Sequence, residues 1–355
     1  MMSHRRLLGI LLLVLPSLPL GAQEMPPIGI IDFYGLRSLP ESTVRAALGI
    51  HEGDALPDSA GPATRRLRGI RGVGDARLNL VCCSSDGKWI LFVGISEAGA
   101  AVNAFRSAPT GSIRLPDDIV QLGRAFDDTV MAAVRQGKAA EHDSAGHAFF
   151  DYPGANAIQH RYLAIAAANL STLRDVLRHS ASAEHRALAA ELLGYAPRVA
   201  DIVHDLEDAM HDPDDGVRNN AMRALAVIAL HAQEWPSAGI RVSPIPFVEM
   251  LNSLVWTDRN KASLALLRLT THRDPTLLSL LREQALPALV DIARWRSTGH
   301  AYAGYMILGR VEGMPENELE QAWKRGDRSA VLDSAARIWL ERQTLKDTGG
   351  KRWRR

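Results

Sequence analysis

Twelve histidines and two adjacent cysteines are the residues of this chain best suited to metal binding or bond-making chemistry. His142 and His147 lack both the glutamate and the four-residue spacing of a zinc-protease helix pair. His179 and His185 straddle a break between two helical segments. His204 and His211 lie two turns apart among Asp201, Asp205 and Asp208, an acidic stripe that reads as a solvated helix face rather than a metal site. The sequence holds no Gly-x-Ser-x-Gly elbow, no phosphate-cradling glycine loop and no paired zinc cysteines. It therefore assigns no catalytic residue, no cofactor ligand and no metal ligand. One cluster is left over: His147, Gln159 and His160, with Tyr152, could line a groove where a loop at 142–160 meets the first helices of the carboxyl-terminal part. Cys82 and Cys83 sit together on an alternating stretch, and neighbours on a strand point to opposite faces. A bond between them needs unusual backbone geometry. The expectation is a core thiol at Cys82 and an outward thiol at Cys83, the alternative being a redox or intermolecular thiol at Cys83.

The chain around these residues has 355 positions, 46% hydrophobic and 23% charged. That is room for two modest domains with real cores and too apolar for a mainly disordered chain. Two cysteines cannot staple a protein of this size, and 41 basic against 40 acidic residues leave no excess to announce nucleic acid. Residues 1–22 have the layout of a cleavable signal peptide: Arg5 and Arg6, an apolar run from Leu7 to Leu15, then Leu20-Gly21-Ala22. Cleavage is expected near Ala22, giving a periplasmic or secreted product. The run is far short of the ~20 residues that cross a bilayer, and no later stretch approaches that length. At the other end, Lys346, Lys351, Arg352, Arg354 and Arg355 make 343–355 a basic, flexible tail, solvated or weakly drawn to anionic surfaces.

Residues 28–98 read as a small module. Ile31 and Phe33 alternate in a strand that stops at Gly35. Residues 40–48 form a short helix with proline in its first turn and Val44 and Leu48 on one face, closed by Gly49. A second helix runs from Pro57 to Gly69. Two strands come next, with Ala76, Leu78, Leu80 and Cys82 on one face of the first and Leu91, Val93 and Ile95 on one face of the second. Asp86-Gly87 supplies the turn. The order is β-α-α-β-β. The strand ending at Gly35, the helix closing into Gly49-Ile50-His51-Glu52-Gly53-Asp54, the approach through Leu67 to Gly72-Val73 and the strand-ending Glu97 resemble a polypeptide-transport-associated (POTRA) domain. That resemblance implies a module that handles polypeptides by adding a partner strand to a sheet edge. The outer-membrane barrel that usually follows such modules has no counterpart here.

After a linker and connecting helix at 99–156, in which β signals disappear and 142–156 is a loop, the sequence repeats itself. Arg186-x-x-Ala189 and Arg218-x-x-Ala221 are one helix face written twice, 32 residues apart. Arg161-x-x-Ala164 precedes them and Asn260-x-x-Ser263 is a looser copy beyond an inserted loop at 233–243. Each copy is followed by a second apolar helix, and a helix pair every 30 to 45 residues is the period of an α-solenoid. The segment from Met210 to Leu230, with Asp212-Pro213 stopping one helix and Val217, Ala221, Leu225 and Ile228 facing the core of the next, resembles a HEAT repeat. Residues 157–342 are similar to about five such repeats. The resemblance implies inter-repeat contacts by Asp215 and Arg218, and Arg186, Asn219 and Asn220 belong to the same capping and inter-repeat set. The expected fold class is therefore α+β overall, a small β-α-α-β-β module followed by an all-α HEAT-like solenoid. The expected function is an exported scaffold that binds protein partners, without nucleic acid and without a membrane span. The alternative is an enzyme, since HEAT-like repeats also resemble those of bilin lyases, with its site near the 142–160 loop.

Overall fold

Strand β3 (Trp89–Glu97) is the central strand of a three-stranded sheet and is buried on both faces. β1 (Ile28–Tyr34) runs parallel to it on one side and β2 (Val73–Val81) antiparallel on the other, giving the order β1-β3-β2. Between β1 and β2 come α1 (Glu41–Leu48) and α2 (Gly61–Arg68), so the β-α-α-β-β order is present. Val44, Leu48, Ala63 and Leu67 from the helices cover Ile31, Ala76, Leu91, Val93 and Ile95 on one face of the sheet. Gly49 ends α1 in the left-handed conformation, φ 60°, where a side chain would be strained. The computed structural model describes residues 26–100, 103–144, 146–197, 199–335 and 337. The segment 1–22 and the tail 343–355 lie outside them.

The second face of the sheet is equally apolar. Tyr34, Ile90 and Phe92 belong to the same core as the helices that come after the sheet. Phe92 stacks on Trp256 with ring centroids 5.0 Å apart and meets Trp295 at 4.8 Å. Tyr34 donates its hydroxyl to the Leu254 carbonyl (2.8 Å), and the Arg259 guanidinium lies 4.5 Å over its ring. The buried Asp32 accepts from the backbone N–H groups of Arg296 (3.0 Å) and Ser297 (3.3 Å). Gly94 is required here, because a Cβ would fall 2.6 Å from the Tyr34 ring. Alternation along β3 thus serves two partners: Leu91, Val93 and Ile95 face α1 and α2, while Ile90 and Phe92 face the helical part.

The expectation of two free thiols is corrected. Cys82 and Cys83 are joined by a disulfide across a cis peptide bond. β2 ends at Val81, and the pair opens a loop that Gly87 turns at φ 76°; Cys82 is half-buried rather than in the core, while Cys83 is exposed, as expected.

The helical part opens with an extended strap, residues 103–116, laid across helix turns: Arg106 N–H donates to the His211 carbonyl and Gly111 N–H to that of His179. α3 (Asp117–Arg135) is next. The loop expected at 142–156 is instead a hairpin, β4 (Glu141–Ser144) with β5 (His147–Phe150), and then the start of α4 (Pro153–Ala168). Four-residue strands are too short to show a period, and this pair is held by contacts with α4 and with the residues after α6. Then come α5 (Leu170–His179), α6 (Ala183–Leu193), α7 (Val199–Ala209), α8 (Asp215–Glu234), α9 (Ile245–Met250), α10 (Trp256–Leu269), α11 (Pro275–Gln284), α12 (Leu286–Arg294), α13 (Thr298–Val311) and α14 (Glu316–Lys324). A short 3-10 turn, Pro236–Ala238, occupies the stretch expected as an insertion. Helices α6, α8, α10 and α13 pack each on the next, and α5, α7, α9 and α11 form a second layer against them. The chain is α+β, with a large helical share and two small sheets.

Two copies of the repeated face shift. Arg161 and Ala164 are not buried; the buried face of α4 is Ala155, Gln159, Tyr162 and Ala166. In α10 the position matching Arg186 and Arg218 is Arg259, buried, rather than Asn260. The acidic stripe is also corrected: Asp205 is buried and accepts from Arg174 and Arg178, and Asp208 pairs with Arg106.

Candidate functional site

Buried arginines at the starts of α6, α8 and α10 form a ladder. Arg186 donates to the Ser180 and Ala181 carbonyls of the turn before its helix and pairs with Asp212 at 2.8 Å. Arg218 does the same one pair later, donating to the Asp212 and Pro213 carbonyls and pairing with Asp258 at 2.9 Å. Arg259 donates to the Ser253 carbonyl and faces Asp291 across 3.6 Å. Each side chain thus neutralises turn carbonyls that helix ends leave without partners, and ties its turn to a carboxylate further on. In the turn before α8 the ladder carboxylate is Asp212, not Asp215; Asp215 is the first residue of α8, with Asp214 as its cap accepting from Val217 N–H. Asn220 donates to the Ala187 carbonyl of α6, and Asn219 donates to Asn220.

His147, Gln159 and His160 do come together, around Phe149 and the hairpin. Gln159 is fully buried with both ends engaged: its Oε1 accepts from Phe150 N–H (2.8 Å), and its Nε2 donates to the Ala148 carbonyl and the Tyr195 hydroxyl. His147 bonds through Nδ1 to the Gly194 carbonyl and stacks on Tyr195, and His160 stacks on Phe149 at 4.9 Å. This arrangement clamps β5 to α4 and α6. Among the described residues, no group of three or more His, Cys, Asp or Glu side chains could hold a metal ion.

A concave feature lies one step further on, over α3, α6, α8 and α10. A cleft of about 220 Å³ between α3 and α6 and another of about 320 Å³ reaching α8 and α10 share Asp127, Glu191 and Asn220, and so form one open trough. Glu141, Asn219, Arg223 and Lys261 line its wider part, with Phe126, Phe150 and the exposed Met131. Arg223 donates to Glu141 (3.1 Å), lies over the Phe150 ring and faces Glu191 at 3.8 Å. Burial pushes the Glu191 carboxyl up to about 7, with Asp127 and Glu141 adding repulsion that Arg223 only partly offsets. Asp127 is raised too, by desolvation and by its neighbour Asp128, and burial lowers the Lys261 ammonium. Desolvation also takes the Tyr195 hydroxyl to about 12. Sequence reasoning does not single out the trough, yet a signal is there. Counting from the ladder arginines, the second residues are Leu188, Asn220 and Lys261 and the fifth are Glu191, Arg223 and the exposed Leu264. Residues three apart share a helix face, and all of these except Leu264 line the trough.

The sheet edges differ. Ile28 exchanges hydrogen bonds with Asp54 and Gly53, and Arg296 donates to the Ile31 carbonyl, so the outer side of β1 is occupied. β2 is the edge to which nothing pairs among the described residues, although Asp75, itself paired with Arg68, takes the Ala76 N–H. Leu80 is exposed on it. Among the described residues, no helix is long and apolar enough to cross a membrane. No protein-family model matches the chain, and a comparison with curated proteins finds no match.

Proposed function

We propose that this chain is an exported, non-catalytic scaffold that binds polypeptides, built from a POTRA-like module and a HEAT-like α-solenoid. The observation that carries the reading is the trough: mixed-charge, partly apolar, open, and continued from helix to helix at repeating positions. A surface of that kind suits an extended chain better than a small substrate, which needs an enclosing pocket. The β2 edge offers a second, backbone-directed contact. An enzyme site near 142–160 draws no support, because Gln159 is spent on the hairpin and the histidines beside it are stacked on Phe149 and Tyr195. Export rests on residues 1–22 and is checked by N-terminal sequencing of the protein recovered from the periplasm, where a start at Gln23 is expected.

The binding reading is tested with the full mature chain and an array of unrelated short peptides, followed by hydrogen exchange of the complexes. Protection of amides in α6 and α8 along the trough, or at 78–81 of β2, is expected. Failure of every peptide to bind, or protection confined to other surfaces, would overturn it.

A further inference from the structure

The narrow end of the trough carries more acid than base, Asp127, Glu184 and Glu191 against Arg124. Asp127 from α3 and Glu191 from α6 line the same 220 Å³ cleft, against the apolar walls of Val120 and Leu188. The third carboxylate there, Glu184, is already engaged, accepting from Nε (2.9 Å) and Nη2 (2.7 Å) of Arg124. Glu191 has only a tenth of its side chain exposed, and among the described residues no hydrogen bond reaches it. Its nearest cation, Arg223, stands 3.8 Å away and gives its Nε to Glu141. Tyr162 lines neither cleft, but among the described residues its buried hydroxyl has no hydrogen-bond partner, and Glu191 and Asp127 are the charges that act on it most strongly. The groups facing Glu191 are therefore Asp127 and Arg124 from α3, Glu141 from β4, Tyr162 from α4, Glu184 on its own helix, Tyr195 beyond it, Arg223 from α8 and Lys261 from α10. With Arg124 paired to Glu184, Glu191 shares Arg223 with Glu141, and among the described residues no cation lies within ion-pair distance of Asp127.

We infer that this cleft receives a basic side chain, lysine or arginine, of the bound polypeptide, its charged head on Asp127 and Glu191 and its aliphatic stem along Val120 and Leu188. The inference rests on the polypeptide-binding reading and supplies its specificity. Two like charges sharing a desolvated cleft repel one another, and an incoming cation relieves that repulsion while restoring hydrogen bonds to a carboxylate that lacks them. Linkage gives the pH dependence: Glu191 must be ionised to hold the cation, so binding expels its proton and tightens as pH rises through about 7.

The test uses the full mature chain and a lysine-containing peptide selected from the array, titrated by calorimetry between about pH 6 and about pH 8 in two buffers of different ionisation enthalpy. Replacing the peptide lysine by norleucine, which keeps the stem and removes the charge, is expected to weaken binding about tenfold or more. Glu191→Gln and Asp127→Asn are expected to do the same to the lysine peptide and little to the norleucine peptide. Glu191→Gln is also expected to abolish proton release, a readout that mere loosening of the fold would not mimic. Equal affinity for the two peptides, or an unchanged Glu191→Gln variant, overturns the inference and leaves the scaffold reading standing. Tighter binding of free spermidine than of the peptide overturns the polypeptide source of the cation. If no peptide of any charge binds, both readings fall together.

Discussion

Glu97, the last residue of β3, holds the connection between β1 and α1 in place. Its carboxylate accepts from the backbone N–H groups of Arg37 (2.7 Å), Ser38 (2.8 Å) and Leu39 (2.9 Å), and from the Ser38 hydroxyl. Desolvation alone would raise its pKa, but these donors together outweigh it and hold the group at about 2. A carboxyl whose folded pKa lies below its ordinary 4.5 stabilises the fold at neutral pH, and that contribution disappears as pH falls from about 4.5 towards 2. Glu97→Ala is expected to cost about 2 kcal/mol at neutral pH. The difference between variant and parent should shrink with acidification, which urea titrations at several pH values would show. A difference independent of pH would mean that packing rather than charge is what the residue supplies.

At the level of helices and strands, the ladder arginines tie successive turns together. Arg218→Leu leaves Asp258 buried with only Ser253 as its remaining hydrogen-bond donor, and strands the Asp212 and Pro213 carbonyls. A loss of about 3–5 kcal/mol is expected, read from chemical denaturation. Adding Asp258→Leu should recover part of that loss, and the unrecovered remainder measures the two turn carbonyls. The α-helical period itself is legible in the sequence, as is the β-α-α-β-β order. Three things are not. Four-residue strands such as β4 and β5 carry no measurable period, and their stability comes from Gln159 and Tyr195, distant in sequence. The register of the third copy slips by one because Arg259 and Asn260 are both polar and only burial separates them. The trough stays hidden because Glu191 and Arg223 look like ordinary polar positions on an apolar helix, although they recur at the spacing of the ladder.

Taken as a whole, the molecule is less divisible than a module joined to a repeat array by a linker. Phe92 sits between Trp256 and Trp295, and the strap at 103–116 is bonded to the turns it crosses. Cutting between the two parts would expose Tyr34, Ile90 and Phe92 on one side and the two tryptophans on the other. A single cooperative unfolding transition is therefore expected, with near- and far-ultraviolet circular dichroism coinciding. Phe92→Ala should remove about 3–5 kcal/mol and separate the two signals, while an exposed change such as Leu264→Ala leaves them together. Two transitions in the parent protein would show that the shared core contributes little.

The ladder also has a direction. In Arg186 with Asp212, Arg218 with Asp258 and Arg259 with Asp291, the cation always precedes its acid along the chain. Within each rung the guanidinium is made before its counter-ion, so a chain stopped between Arg186 and Asp212, between Arg218 and Asp258, or between Arg259 and Asp291 holds a cation without its acid. Each rung closes only once the carboxylate that follows it has been added.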